Sequence, residues 1–304
     1  MRLFCKWASS EADCEYPPDS AGPAYQSFKS GNKVVLPEQG NYMKRIKLTV
    51  AYDGTNYHGW QVQPGKSTIE GELNKALSLL TGEVIAVTGA SRTDAGVHAL
   101  GNVAVFDTSS YIPAEKFSYV LNQRLPSDIV IQKSEETLPD FHPRHCACRK
   151  IYKYTILNRK FPLPQYRNTA YFYYGNLDTD KMQMACKAFI GEHDFAGFCS
   201  SGAQVQSTTR TIYSLGIQEE RVPEAGCTDN LNAGCGSMGR IITIRAEGNG
   251  FLYNMVRIIA GTLIETGRGR INPCDMQEII ASCDRSRAGA TAPAKGLELV
   301  KILY

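Results

Sequence analysis

Apolar and polar residues alternate through residues 44–52, with Ile46, Leu48 and Val50 at every second position. That period predicts a strand with one buried face. The spacing then changes. Ile69, Leu73, Leu77 and Leu80 recur at helical intervals, and Ser67 with Glu70 makes the pattern of a capping box at the helix start. Short apolar runs at 83–89, 100–107 and 128–134 predict three further strands. Pro113, followed by Phe117, Val120 and Leu121, predicts a helix between the last two. The order is βαββαβ.

The second half repeats that order. Ile151, Tyr152, Tyr154 and Ile156 mark a long strand over 149–158, and Met182, Cys186 and Phe189 mark a helix over 179–190. Strands follow near 209–219 and 240–247, helices over 251–266 and 274–283, and a closing strand over 297–303. Two βαββαβ runs predict an α+β fold of two ferredoxin-like halves. Their antiparallel sheets are expected to be related by a pseudo-twofold, with a catalytic cleft between them. The halves would be 43–147 and 148–304. Residues 1–42 carry Pro17, Pro18, Pro23 and Pro37 and no period, and are expected to be a disordered extension whose start need not be the true one. Residues 221–238, rich in Gly, Asn and Cys, are expected to be a surface loop.

Composition narrows the class. The 304 residues are 43% hydrophobic and 21% charged, enough apolar content for a substantial core. No apolar run approaches the roughly 18 residues that cross a bilayer, and the N-terminus lacks an apolar leader. A cytoplasmic protein with no membrane partner is expected. The ten cysteines are scattered, with no C-x-x-C pair, and are expected to be reduced. His142, His145, Cys146 and Cys148 lie close together but at no common zinc spacing, so no metal is expected. The net charge of +3 is mild. Basic residues nevertheless cluster at Arg144-His145, Arg149-Lys150, Lys153, Arg159-Lys160, Arg257, and Arg268 with Arg270. Singly these read as solvated faces; several around one cleft would suit a phosphate backbone.

The densest chemical signal is the run Ser91-Arg92-Thr93-Asp94-Ala95-Gly96-Val97-His98, in the loop before the third strand. Catalytic groups concentrate in such loops. On composition alone, an aspartate in a turn more often stabilises its own backbone. The string is more specific than that. It resembles the catalytic loop of the TruA family of tRNA pseudouridine synthases. The resemblance spans 43–304 and includes five more motifs in order: Tyr52 to Gln61; Phe141 to Arg144 with Arg149 to Tyr154; His193 to Phe195 with Thr209 to Ile212; Gly250 to Arg257; and Ala292 to Leu297.

That resemblance implies an isomerase that converts uridine to pseudouridine at positions 38, 39 and 40 of the tRNA anticodon stem-loop. It implies Asp94 as nucleophile, Arg257 as the arginine paired with it, and Tyr152 as the ring that packs on the target base. Leu297 would lie in the pocket wall, and Arg92 at the mouth would hold the RNA. It also implies a homodimer with tRNA across both subunits. The reaction has no redox step and no net hydrolysis, so no cofactor is expected. Arg257 would keep Asp94 ionised and oriented. His58, His98 and His193 are expected to contact RNA or serve structure. A non-catalytic tRNA-binding protein would need a lesion in this set, and none is present. A metal-dependent nuclease would need a cluster of carboxylates around the loop, and only Asp94 lies there.

Overall fold

A computed structural model of the protein describes residues 43–202, 205–222 and 239–304. The predicted extension 1–42, and residues 223–238 of the predicted surface loop, lie outside the described residues. The period of two in the first strand is realised in β1 (Lys44–Tyr52), whose Ile46, Leu48, Val50 and Tyr52 are buried while the alternate residues are not. They join one apolar core with Ile69, Leu73 and Leu77 of α1 (Ile69–Thr81).

The remaining strands are β2 (Thr88–Gly89), β3 (His98–Thr108), β4 (Ile129–Thr137), β5 (Arg149–Asn158), β6 (Tyr171–Tyr173), β7 (Gly191–Asp194), β8 (Thr209–Arg221), β9 (Arg240–Gly248) and β10 (Leu297–Leu303). The other helices are α2 (Phe117–Leu121), α3 (Thr179–Cys186), α4 (Met255–Gly267) and α5 (Met276–Ala281). The result is a mixed α+β protein. One sheet runs β4-β1-β3-β10-β5-β9-β8-β7, with β2 on β3 and β6 on β5.

Two separate sheets facing a cleft are therefore not what forms. The strands of the first and second halves belong to one sheet, because β10 inserts between them, parallel to β3 and antiparallel to β5. Most other pairs are antiparallel. The described residues fall within one compact unit, Asn41–Tyr304.

Several element boundaries differ from the sequence pattern, each for a local reason. The strand expected over 83–89 shrinks to two residues. Its backbone donors are taken by side chains of α1, Ile85 N by Ser78 Oγ at 3.0 Å and Val87 N by Asn74 Oδ1 at 2.8 Å. The capping box does not form. Thr68 is the N-cap of α1, its hydroxyl accepting from Gly71 N at 3.3 Å, and Glu70 turns back to Val62 N at 2.8 Å. The helix expected over 251–266 starts only at Met255, because Asn254 sits in the left-handed region at φ 61°. The helix expected over 179–190 ends as α-helix at Cys186 and closes with a 3-10 turn. The one expected over 274–283 keeps only 276–281 as α-helix. The pattern did not announce β6 or β7 at all. No helix among the described residues is long and apolar enough to cross a membrane, and the six described cysteines are free.

Candidate active site

The loop that carries Asp94 is cradled by the segment after β1. Trp60 N donates to Thr93 O at 3.0 Å, and Gly96 N to Tyr57 O at 3.3 Å. Gly59 has φ +87°, and a Cβ there would lie 2.5 Å from Thr93 O, so only glycine permits this approach. Beneath the loop, Asn102 Nδ2 donates to Ser91 O at 3.0 Å, and the Thr93 hydroxyl meets Tyr52 OH at 2.7 Å. The turn closes on itself through Val97 N to Asp94 O at 3.1 Å. Asp94 is thus presented from a rigid loop rather than a mobile one.

Arg257 reaches it from the first turn of α4. Its Nη1 lies 3.2 Å from Asp94 Oδ2. The same nitrogen donates to Asn254 Oδ1 at 2.6 Å, and Nε donates to the Ala292 carbonyl at 2.8 Å. Ala292 is placed for this by its own N–H, which bonds Arg257 O at 3.1 Å. Asn254 ties the arrangement to the neighbouring loop, its Nδ2 donating to Ser200 Oγ at 2.9 Å. The guanidinium is held on three sides.

Two opposing causes set the charge balance at Asp94. Burial raises its pKa above the ordinary carboxylate value, and the Arg257 cation opposes that rise without cancelling it. Arg257 orients the carboxylate and limits the cost of burying it.

Asp94 lines a cavity of about 870 Å³ together with Arg92, Arg144, Lys150, Tyr152, Phe251 and Leu297. Tyr152 and Leu297, both buried, come from the adjacent strands β5 and β10. Phe251 packs edge-on against the Tyr152 ring, centroids 5.2 Å apart. Burial pushes the Tyr152 phenol up to about 12. The Ser91 hydroxyl beside it opposes that shift, yet Ser91 Oγ finds no partner at hydrogen-bond geometry. Arg92 is exposed at the cavity edge. The five residues singled out from the sequence are therefore brought together, four in the cavity wall and Arg257 behind Asp94.

Asn254, Ala292 and Ser91 were not singled out individually. Asn254 had one available signal: asparagine is among the few non-glycine residues that tolerate positive φ. The histidines divide. His98 is buried, taking Gly54 N–H on Nδ1 at 3.2 Å and bonding Asn168 O through Nε2 at 2.8 Å, a structural role. His58 lines the cavity. Among the described residues, no group of three or more His, Cys, Asp or Glu side chains is placed to hold a metal.

Comparison with known proteins bears on this arrangement. A family model described as tRNA pseudouridine synthase matches residues 48–145 and 185–304, which leaves Tyr152 between the matched stretches. The chain is similar to tRNA pseudouridine synthase A of Ruminiclostridium cellulolyticum, 48% identical over 262 residues, covering 86% of this chain and all of that protein. It is 45% identical to the protein of that name from Acetivibrio thermocellus and 44% to that from Brevibacillus brevis, with the same coverage of each chain. A family model that covers well over half of the chain, and full-length relatives at this identity, establish that the chain belongs to the tRNA pseudouridine synthase family.

Proposed function

We propose that this chain isomerises uridine to pseudouridine in tRNA, at positions 38, 39 and 40 of the anticodon stem-loop, with Asp94 as the nucleophile. The observation that carries the reading is a half-buried carboxylate in the wall of a large cavity, held at 3.2 Å by an arginine and sharing that cavity with an aromatic ring. The reaction breaks the N1–C1′ glycosidic bond, turns the uracil, and rejoins it through C5, which loses its hydrogen to solvent. It needs a carboxylate beside the sugar or base in a closed site. The base must leave its stack, at a cost of a few kcal/mol. Stacking on Tyr152 would return about 1–3 kcal/mol of that. Arg92, without an ion-pair partner among the described residues, is suited to hold the strand, and Leu297 packs the wall.

The wider reading is a cytoplasmic homodimer with tRNA laid across both subunits. The equal strand orders β4-β1-β3-β2 and β10-β5-β9-β8 support two βαββαβ units, 43–147 and 148–304, fused through β10. The test is tritium release from tRNA labelled at C5 of uridine, with wild type and Asp94→Ala side by side. Release by wild type alone supports the reading, and replacing uridines 38, 39 and 40 singly by cytidine maps the targets. Equal release by Asp94→Ala removes Asp94 as nucleophile.

A further inference from the structure

Lys150 lies in the cavity wall, mostly buried, with its Nζ donating to the Ala90 carbonyl at 2.9 Å. Among the described residues it has no carboxylate partner. The other basic residues of β5 do: Arg149 lies 3.4 Å from Glu247 and Lys153 2.7 Å from Glu298. The alternation of a strand explains the difference. Arg149 and Lys153 lie on one face of the sheet, among cross-strand carboxylates. Lys150 and Tyr152 share the other face, about 7 Å apart along the strand.

The surroundings of Lys150 sharpen the point. Burial and the guanidinium groups of Arg144 and Arg210 all work against its charge, which the Cys148 thiol favours. Arg144 lines the same cavity and also has no ion-pair partner among the described residues. Lysine is almost never fully buried without a counter-charge, and Lys150, only partly exposed, has none among the described residues. An ammonium has three donors, and Ala90 O takes one. Two remain for an anion that the free protein does not supply.

We propose that Lys150, with Arg144, binds one phosphodiester group of the RNA strand next to the nucleotide whose base lies against Tyr152. This rests on the reading of the substrate as RNA. It assigns the backbone contact to the tyrosine's own strand, so that base and phosphate are registered by one element. Uracil before bond cleavage carries no net charge and gives Lys150 no counter-ion; the diester does.

The test measures binding of anticodon stem-loop RNA to the full chain as a function of salt, for wild type, Lys150→Met and Lys150→Arg. Lys150→Met should bind about tenfold more weakly at low salt. Its slope of log K against log salt should fall by about 0.7–0.9, the loss of one phosphate contact. Lys150→Arg should keep most of both. RNAs with a neutral methylphosphonate at each loop linkage in turn locate the contact. One linkage should weaken wild type by a similar factor and leave Lys150→Met unaffected. The proposal is overturned if wild type tolerates every neutral linkage, a result that needs no variant to fold. It is equally overturned if Lys150→Met loses only turnover at saturating RNA with an unchanged slope, which would place the cation on the base. Tritium release by wild type reports on the substrate reading separately.

Discussion

Replacing Arg257 by methionine tests the central pair most directly. The two charges approach to 3.2 Å with side chains only 16% and 25% exposed. At an effective dielectric of about 20 the attraction is roughly 5 kcal/mol before desolvation is charged against it. Removing one partner of a fully buried pair costs about 3–5 kcal/mol, because the other charge is left uncompensated, and the partial exposure of this pair puts its cost below that range. Arg257→Met also strands the Ala292 carbonyl and the Asn254 side chain, so the single variant overstates the pair. The double-mutant cycle with Asp94→Asn isolates it, and a coupling of about 1.5–3 kcal/mol in urea unfolding is expected. The pH dependence supplies an independent check. Burial already raises the Asp94 pKa, and without Arg257 it rises further. Below that raised pKa the native state of Arg257→Met holds a proton that the unfolded chain does not, so its stability increases as pH falls through the native pKa towards the unfolded aspartate value of about 3.9. Arg257→Met with Asp94→Asn lacks the titrating group and should not show that gain. Coupling below about 0.5 kcal/mol, with the same pH response in both, would refute the claim that Arg257 compensates Asp94.

Further outcomes concern the cavity. Tyr152→Phe should leave stability within about 0.5 kcal/mol, since the phenol has no well-formed hydrogen bond to lose; a drop in turnover without a change in melting would mark the hydroxyl as functional, and a stability loss alone would make Tyr152 structural. Asn254→Gly keeps the left-handed backbone and removes the carboxamide, so kcat should fall with KM little changed, whereas Asn254→Ala adds about 1–3 kcal/mol of backbone strain that thermal melting would detect. If Asn254→Gly matches wild type in kcat, the 2.6 Å contact to Arg257 does not position it. The acid limb of kcat/KM, which reports the free enzyme, should lie above the ordinary aspartate midpoint of about 3.9, because activity needs the carboxylate that burial disfavours; a limb at or below that value would mean Asp94 titrates as an exposed group.

The parts legible in the sequence are those set by period or by a dense local string. The period of two in 44–52 and 149–158 gave both strands to the residue, although only β1 keeps a single buried face and β5 buries Ile151 and Tyr152 on opposite faces. The loop 91–98 was legible through its resemblance to the catalytic loop of the TruA family, since composition alone favoured an aspartate that stabilises a turn. Two of the failures share one cause: side chains took backbone donors that the pattern assigned to a ladder or a cap. Asn74 and Ser78 did so at 83–89, and Glu70 left the capping box for Val62 N. Lys150 was visible only as one member of a basic cluster. That its neighbours Arg149 and Lys153 were neutralised depended on carboxylates on β9 and β10.

The least legible feature is also the one that assembles the cavity. β10 meets β3 in parallel over only two pairs, Glu298 with His98 and Leu299 with Ala99. On its other edge, the same short stretch sets Leu299 opposite Tyr152 and Leu297 opposite Tyr154. Those two pairs begin where the Asp94 loop ends. One strand from the end of the chain therefore fixes the distance between the carboxylate loop and the tyrosine wall. The 3-10 turn before β10 follows Ala292 and Pro293, and Ala292 fixes Arg257 through its carbonyl. Residues 292–299 thus hold three site groups in register, although only Leu297 reaches the cavity from among them. A register slip of one residue in β10 would turn Leu297 and Leu299 out of the core and separate Tyr152 from Asp94. The sheet is continuous across the site because the site's geometry is set by pairing across that seam.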